Sequence, residues 1–492
     1  MSKIYQAIVI CLCALAIWLR FDGVFTKSFA FTYDVGRDML ALQNLAHGHL
    51  SLIGFTTGLP GVFYGPWWYW ILLPAYLIGQ GNPQYIDGFM ALSGFLAIII
   101  LAILGRKIGG NFLSIALLAI GGVSGQLVSL SSQIWNPNLA PLWLSCMLLA
   151  LYNLHQKPTK KVSLALFLAL GILIGLLFEA EIVFGTLFVC GFFVFVLVYM
   201  RQWIKLPWIA SLIAGFFMIL SPRILFELRH NFLMTRTILS TFGQSAHHSF
   251  ALSTLWTRAY FLLQEWSNSV GGDIPWVGAI IFGITVLLIG MYWKKYNSLV
   301  QFFVAFSGIL TVVAWLLLVL FQHDLWSHYV VAYPLLWVFI VAAGIYGLYE
   351  YGNKWIACGL LVAVCLINVQ PQKIADRLTK PLFQGDISVY RNELAIVDEV
   401  YKEAAGKPFK YIVYTPPIMD YPYQYLFQWY GKSQYGYSAG GPQEKLMFVI
   451  IEPDTDHPTL RNDWISSHAK DGVVVSEKIF PTHVILQRRI IP

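Results

Sequence analysis

Asp34, Arg37 and Asp38 fall within FTYDVGRDM, residues 31–39, directly after the first apolar run of the chain. At i, i+3 and i+4 they share one face of a helix, a spacing that suits an internal ion pair. It also suits chemistry. A carboxylate facing water at the edge of a membrane can take a proton from an attacking hydroxyl, or hold a divalent cation through oxygen. An arginine one turn along presents a planar fork that matches phosphate oxygens. Charges placed beside hydrocarbon are costly, which makes this grouping a functional candidate.

Three further groups invite the same question. SPRILFELRHN, residues 221–231, carries Arg223, Glu227, Arg229 and His230 at the end of an apolar run. Cations here suit an anionic ligand, or arginines that snorkel to lipid phosphates and pair with Glu227. The run Phe63, Tyr64, Trp67, Trp68, Tyr69 and Trp70 offers aromatic faces to sugar rings, or anchors a helix at the interface. His323, Asp324, His328 and Tyr329 are placed to line an outward cavity, but they lack the tight spacing of metal ligands.

The elements that must hold these residues follow from composition. Of 492 residues, 58% are hydrophobic and 12% charged, with mean hydropathy +0.64; soluble domains carry roughly 25% charged residues. The chain is a polytopic membrane protein, mostly helical. About 20 apolar residues cross a bilayer, and spans are expected near 4–20, 85–104, 111–130, 138–154, 161–178, 181–200, 205–221, 276–293, 298–321, 328–348 and 354–369. That makes about eleven transmembrane helices.

With the N-terminus inside, the inside turns hold Lys3, Arg106 and Lys107, Lys157, Lys160 and Lys161, Arg201 and Lys205, Lys294 and Lys295, and Lys354. Each inside turn is basic, as orientation by positive charge requires. Loops 21–84 and 222–275 then lie outside. GPWWYWILLPAYLIG (65–79) and TLWTRAYFLLQEW (254–266) are expected as interfacial helices within them. The N-terminus lacks a small-residue cleavage site and is read as an uncleaved first span.

Past residue 369 charged and turn residues return. KYIVYT, LMFVII, GVVVSEKIF and THVILQRR are expected strands, and DISVYRNELAIVDEVYKEAAG an amphipathic helix. The chain thus divides into a transmembrane domain, 1–369, and a small extracytoplasmic α/β domain, 370–492.

Six cysteines, Cys11, Cys13, Cys146, Cys190, Cys358 and Cys365, lie in apolar stretches and imply no disulfide framework. There is no Walker loop, GxGxxG, HExxH or GxSxG motif. No basic run interleaved with aromatics points to nucleic acid.

This layout resembles the GT-C superfamily of membrane glycosyltransferases, and within it the aminoarabinose-transferase and protein mannosyltransferase group. FTYDVGRDM stands where that family carries its catalytic acid, so the resemblance gives Asp34 that role, with Asp38 in support. YGPWWYW resembles the family's Lys-Pro-Pro-Leu-x-Tyr-Trp stretch through Pro66, Tyr69 and Trp70, with Tyr64 in place of the lysine. SSQIWNPNLAP puts Asn136 where relatives often carry a second aspartate, and Val35 replaces the glutamate that follows the catalytic aspartate of the mannosyltransferases. HYVVAYP resembles the entry to a late span through Tyr329 and Pro334.

The resemblance implies an inverting transfer of a hexose or pentose from a polyprenyl-phosphate donor to a hydroxyl acceptor (protein, lipid or glycan), outside the cytoplasmic (plasma) membrane. Arg37, Arg223 and Arg229 are then the residues to hold the donor phosphate. Tyr64, Trp68, Tyr69, Asn136, His230, His328 and Tyr329 would line the substrates. No cofactor is implied, although a divalent cation stays open. The alternative is a transporter or flippase of a lipid-linked or anionic substrate. Against it stands the concentration of charge on the outer face, since a transporter needs polar groups at mid-span and only Glu179 and Glu181 come close.

Overall fold

The computed structural model describes residues 3–244, 252–321, 323–369, 385–416, 419–441 and 443–492. The helices of the first half are α1 Lys3–Phe25, α2 Tyr33–Ala46, α3 Trp67–Ile78, α4 Pro83–Val123, α5 Gly125–Ser131, α6 Ala140–His155, α7 Lys160–Ala180 and α8 Ile182–Tyr199. They continue as α9 Leu206–Arg229, α10 Leu233–Gln244, α11 Leu252–Val270, α12 Pro275–Tyr292, α13 Ser298–Leu320, α14 Tyr333–Tyr351 and α15 Lys354–Val369. The last three are α16 Tyr390–Ala404, α17 Tyr421–Tyr430 and α18 Pro458–Ser467.

Among the described residues 8 helices are long and apolar enough to cross a membrane, and a bent pair makes a ninth: α5 with residues 136–155, turned by 115°. The α3 and α15 helices are apolar but shorter. The expectation of about eleven spans divides the same runs differently, because it splits α4, joins α5 to its second half, and counts α6 and α15 as full spans.

The split in α4 has a physical basis. Gly110 takes φ 74°, ψ −160°, which interrupts the helix. A Cβ on Gly121 would lie 3.0 Å from Ile98, and one on Gly105 would overlap Leu117. In a straight helix residues 105 and 117 would be about 18 Å apart. The chain therefore doubles back at Gly110 as two antiparallel helices.

Clustering of contacts gives two compact units. The first holds the described residues of 1–21, 51–70 and 90–375; the second holds those of 22–50, 71–89 and 376–492. In the first unit α7 and α9 approach so closely that a Cβ on Gly171 would overlap the Leu212 carbonyl, and one on Gly215 the Leu168 carbonyl. Small residues at a helix crossing let backbones meet, which is how packing substitutes for a hydrophobic drive in lipid. The α14 helix forms the centre, with Tyr333–Gly347 almost wholly buried. Arg20 is fully buried, and its Nη1 and Nη2 donate to the carbonyls of Gly122 (2.8 Å) and Gly121 (3.1 Å). Carbonyls at a helix end are unsatisfied and partly negative, so they suit a cation.

The second unit is built on a sheet of order β1-β2-β4-β3, where β1 is Lys410–Tyr414, β2 Leu446–Ile451, β3 Val473–Ile479 and β4 Ile485–Ile490. The β1 and β2 strands are parallel and the other pairs antiparallel. All four expected strands are present, and the amphipathic helix is α16, which buries Leu394, Ile396, Val397, Val400 and Tyr401. Residues 22–50 join this unit by main-chain bonds: Phe31 N–H to Ser388 O at 2.7 Å and Tyr390 N–H to Phe29 O at 3.0 Å, with Phe29 stacked on Tyr390. The FTYDVGRDM stretch is thereby tied to the C-terminal sheet unit.

Candidate active site

In the second unit the α2 helix begins at Tyr33, so Asp34 lies in its first turn, where a carboxylate is stabilised by the helix dipole by roughly 0.3–1 kcal/mol. Val35, Gly36, Asp38, Met39 and Leu42 form the buried face. Arg37 bridges the two carboxylates: Nη1 donates to Asp34 Oδ1 at 2.7 Å, while Nε and Nη2 donate to Asp38 Oδ1 at 3.0 and 2.8 Å. The side chain of Asp38 is 2% exposed and that of Asp34 51%. The ion pair expected from the spacing is therefore real, and it is asymmetric. Asp38 anchors the arginine, and Asp34 is the carboxylate that can meet a ligand.

Packing fixes where this helix sits within its unit. A Cβ on Gly36 would run into the backbone of Tyr421 and Pro422 at the start of α17, so only glycine permits the approach. Beside that contact the rings of Tyr33 and Tyr421 lie 5.0 Å apart, tilted by 46°. Burial, and a hydrogen bond to the Tyr421 side chain, raise the Tyr33 phenol above its ordinary pKa.

The first unit holds a second polar group, gathered where α7 gives way to α8. Glu181 is extended there (φ −156°, ψ 119°), and its side chain caps α8 by accepting from Val183 N–H. Glu181 Oε2 also accepts from the Tyr64 hydroxyl at 2.8 Å. Glu179 accepts from Gly65 N–H at 2.6 Å and from Arg223 Nη1 at 2.9 Å, with both charged side chains largely buried. Asn136 Nδ2 donates to Ala180 O, and Trp67 Nε1 to Ile219 O at 2.6 Å. The ring of His328 rests edge-on to Trp135 at 5.0 Å and next to Tyr329.

Of the residues singled out in the sequence, this group brings together Tyr64, Asn136 and Arg223, with His328 beside Trp135 and Tyr329 within electrostatic reach of Tyr64 and Glu181. Trp68 and Tyr69 are buried in the first turn of α3. Arg229 and His230 are not part of it. They stand exposed at the end of α9, where the His230 ring stacks on Phe226 at 4.0 Å. Glu227 caps α10 by accepting from the N–H groups of Met234 and Thr235.

Glu179 and Glu181, which in the sequence come close to mid-span charges, are bound by these partners at the α7–α8 break. The break itself lies where the expected spans 161–178 and 181–200 meet, and two acids flanking an Ala between apolar runs mark it. Among the described residues no group of three or more His, Cys, Asp and Glu side chains is arranged to hold a metal ion.

No protein-family model and no curated protein matches the sequence. Solved structures do. ArnT from Cupriavidus metallidurans bound to undecaprenyl phosphate superposes with TM-score 0.60 at 12% identity, over 99% of this chain and 98% of that one. ArnT from the same organism in the apo state gives 0.57 at 13% identity, over 98% of each chain. The Archaeoglobus fulgidus oligosaccharyltransferase, in a complex with Zn and sulfate, gives 0.50 at 13% identity, over 98% of this chain and 72% of that one. The chain therefore shares the fold of these structures, a GT-C-like polytopic membrane architecture with a small C-terminal sheet unit.

Proposed function

We propose that this protein is an inverting glycosyltransferase that moves a sugar from a polyprenyl-phosphate donor to an acceptor hydroxyl, with Asp34 as the base. The observation that carries the reading is the Asp34–Arg37–Asp38 network on a GT-C fold, supported by the likeness along nearly the whole chain to a structure that binds undecaprenyl phosphate. The acceptor oxygen attacks the anomeric carbon, the bond from that carbon to the phosphate oxygen breaks, and configuration inverts. The alcohol's proton becomes acidic, and can pass to the carboxylate, only once the new bond is well advanced. Lowering of the barrier must then come mainly from stabilising the charge on the leaving phosphate.

Arg37 links the two demands. In the resting chain its Nη1 is bonded to Asp34. A phosphate oxygen that draws Nη1 away leaves Asp34 ready to accept a proton, while Asp38 keeps hold of Nε and Nη2. Substrate arrival and activation of the base are thereby one event. In the first unit the Tyr64, Asn136, Arg223, His328 and Tyr329 group is the candidate for further substrate contacts. The alternation of basic turns supports a plasma-membrane orientation with the N-terminus inside and the C-terminal unit outside.

The transport alternative draws on Glu179 and Glu181. Both carboxylates have partners built into the fold, which favours a positioning role. The test reconstitutes the purified chain in liposomes with a panel of radiolabelled polyprenyl-phosphate sugars and membrane-extract acceptors. Transfer of label to an acceptor with loss of the donor is expected. Movement of intact donor between leaflets without cleavage would overturn the reading in favour of transport.

A further inference from the structure

Tyr33 adjoins the proposed base and its ring meets that of Tyr421, and nothing so far has used either. Both are half-buried, one entering α2 and the other opening α17. Their rings are in contact, and Tyr33 feels the charges of both Asp34 and Arg37. The glycine at 36 removes the one side chain that would keep the two helix ends apart. The arrangement joins an apolar surface to polar groups: two phenol rings, two hydroxyls, a half-exposed carboxylate and an arginine. A saccharide ring needs that combination, with an aromatic face for its C–H side and hydrogen-bonding groups for its hydroxyls.

We propose that Tyr33 and Tyr421 form the platform on which a saccharide ring rests next to Asp34, so that the C-terminal part of the chain supplies a specificity-determining side chain through Tyr421. The proposal rests on the reading of Asp34 as the base. It leaves two sources for the ring, the donor sugar or a sugar acceptor. It also gives a reason for the tie between residues 29–31 and 388–390: those main-chain bonds hold the entry to α2 in register with the unit that carries Tyr421.

The first test reads binding, so that it does not depend on turnover. Saturation-transfer NMR on the full chain in detergent uses methyl glucoside, mannoside, galactoside and arabinoside as probes, with irradiation of aromatic protons. Transfer to ring C–H protons of at least one glycoside is expected, retained in Tyr421→Phe and lost in Tyr421→Ala and Tyr33→Ala. Absence of transfer from all four glycosides, or transfer that survives both alanine variants, would overturn the platform.

Kinetics then name the ring. Tyr421→Ala should raise one KM by roughly 10-fold while kcat stays within about 2-fold, with Tyr421→Phe restoring most of it. The substrate whose KM moves is the one that rests there, and unchanged KM for both would overturn the proposal. A wild-type chain that binds glycosides through these tyrosines but transfers no sugar would fail the glycosyltransferase reading alone.

Discussion

At the level of single residues, the buried charges differ in what surrounds them, and two cases make predictions. Arg223 and Glu179 are paired inside the first unit at 2.9 Å. Removing one partner of such a pair leaves an uncompensated buried charge and costs roughly 3–5 kcal/mol. Arg223→Ala should therefore lower the thermal midpoint sharply, and adding Glu179→Gln, which removes the unpaired charge but can still accept from Gly65 N–H, should restore most of it. A single variant as stable as wild type in a fluorescence melt would contradict the pairing.

The second unit contains the reverse case, acids buried without a cation. Glu452 accepts from the Tyr423 hydroxyl at 2.9 Å, and Glu393 is fully enclosed nearby with Asp386 also facing it. Burial raises Glu393 well above the carboxylate range, and it lifts Glu452 from 4.5 to about 7. The folded chain then binds protons more tightly than the unfolded one. Stability contributed by Glu452 is complete below pH 4.5 and is lost as pH rises to about 7, a change of about 3 kcal/mol at most. Melts between pH 5 and 8 should show a falling midpoint, and Glu452→Gln should flatten the fall. A midpoint that climbs with pH over that range would exclude the assignment.

Between elements, close approach is set by glycine. Gly36→Ala forces a methyl group into the Tyr421–Pro422 backbone, where overpacking typically costs about 1–3 kcal/mol. It should lower both stability and sugar transfer, whereas Gly48→Ala on the same stretch, with open space around it but φ +90°, should cost stability alone. Equal transfer by Gly36→Ala and wild type would separate the α2–α17 contact from function. These elements were unequally legible. Spans and strands declared themselves, because hydrocarbon demands about 20 apolar residues and the strands are short runs rich in Val, Ile, Tyr and Phe between turn residues. The α17 helix, YPYQYLFQWY, did not: its buried face is mostly aromatic and opens on proline, so no apolar period marks it. The break at Glu181 was visible, between the expected spans 161–178 and 181–200, but the partners of its two acids, Tyr64, Gly65 and Arg223, were not, because they are distant in sequence.

For the whole molecule, the legible part was the layout and the illegible part was the division of labour. Asp34, Arg37 and Asp38 were visible from spacing alone, yet which carboxylate is exposed depends on α2 burying Asp38. Nothing in the sequence indicates that residues 22–50 belong with the C-terminal sheet unit rather than with the helices around them. Orientation yields a test at this scale. Cysteine introduced at exposed Lys470 should react with a membrane-impermeant maleimide in intact cells, and one at exposed Lys161 only after permeabilisation. The opposite pattern would put the proposed chemistry on the cytoplasmic face. The most direct measurement of the central claim is steady-state sugar transfer by Asp34→Asn against wild type, with equal thermal midpoints as the control for folding. Loss of kcat by roughly 100-fold or more, with the donor KM little changed, is the result predicted for a general base. Transfer at the wild-type rate by a folded Asp34→Asn chain would remove Asp34 from the mechanism.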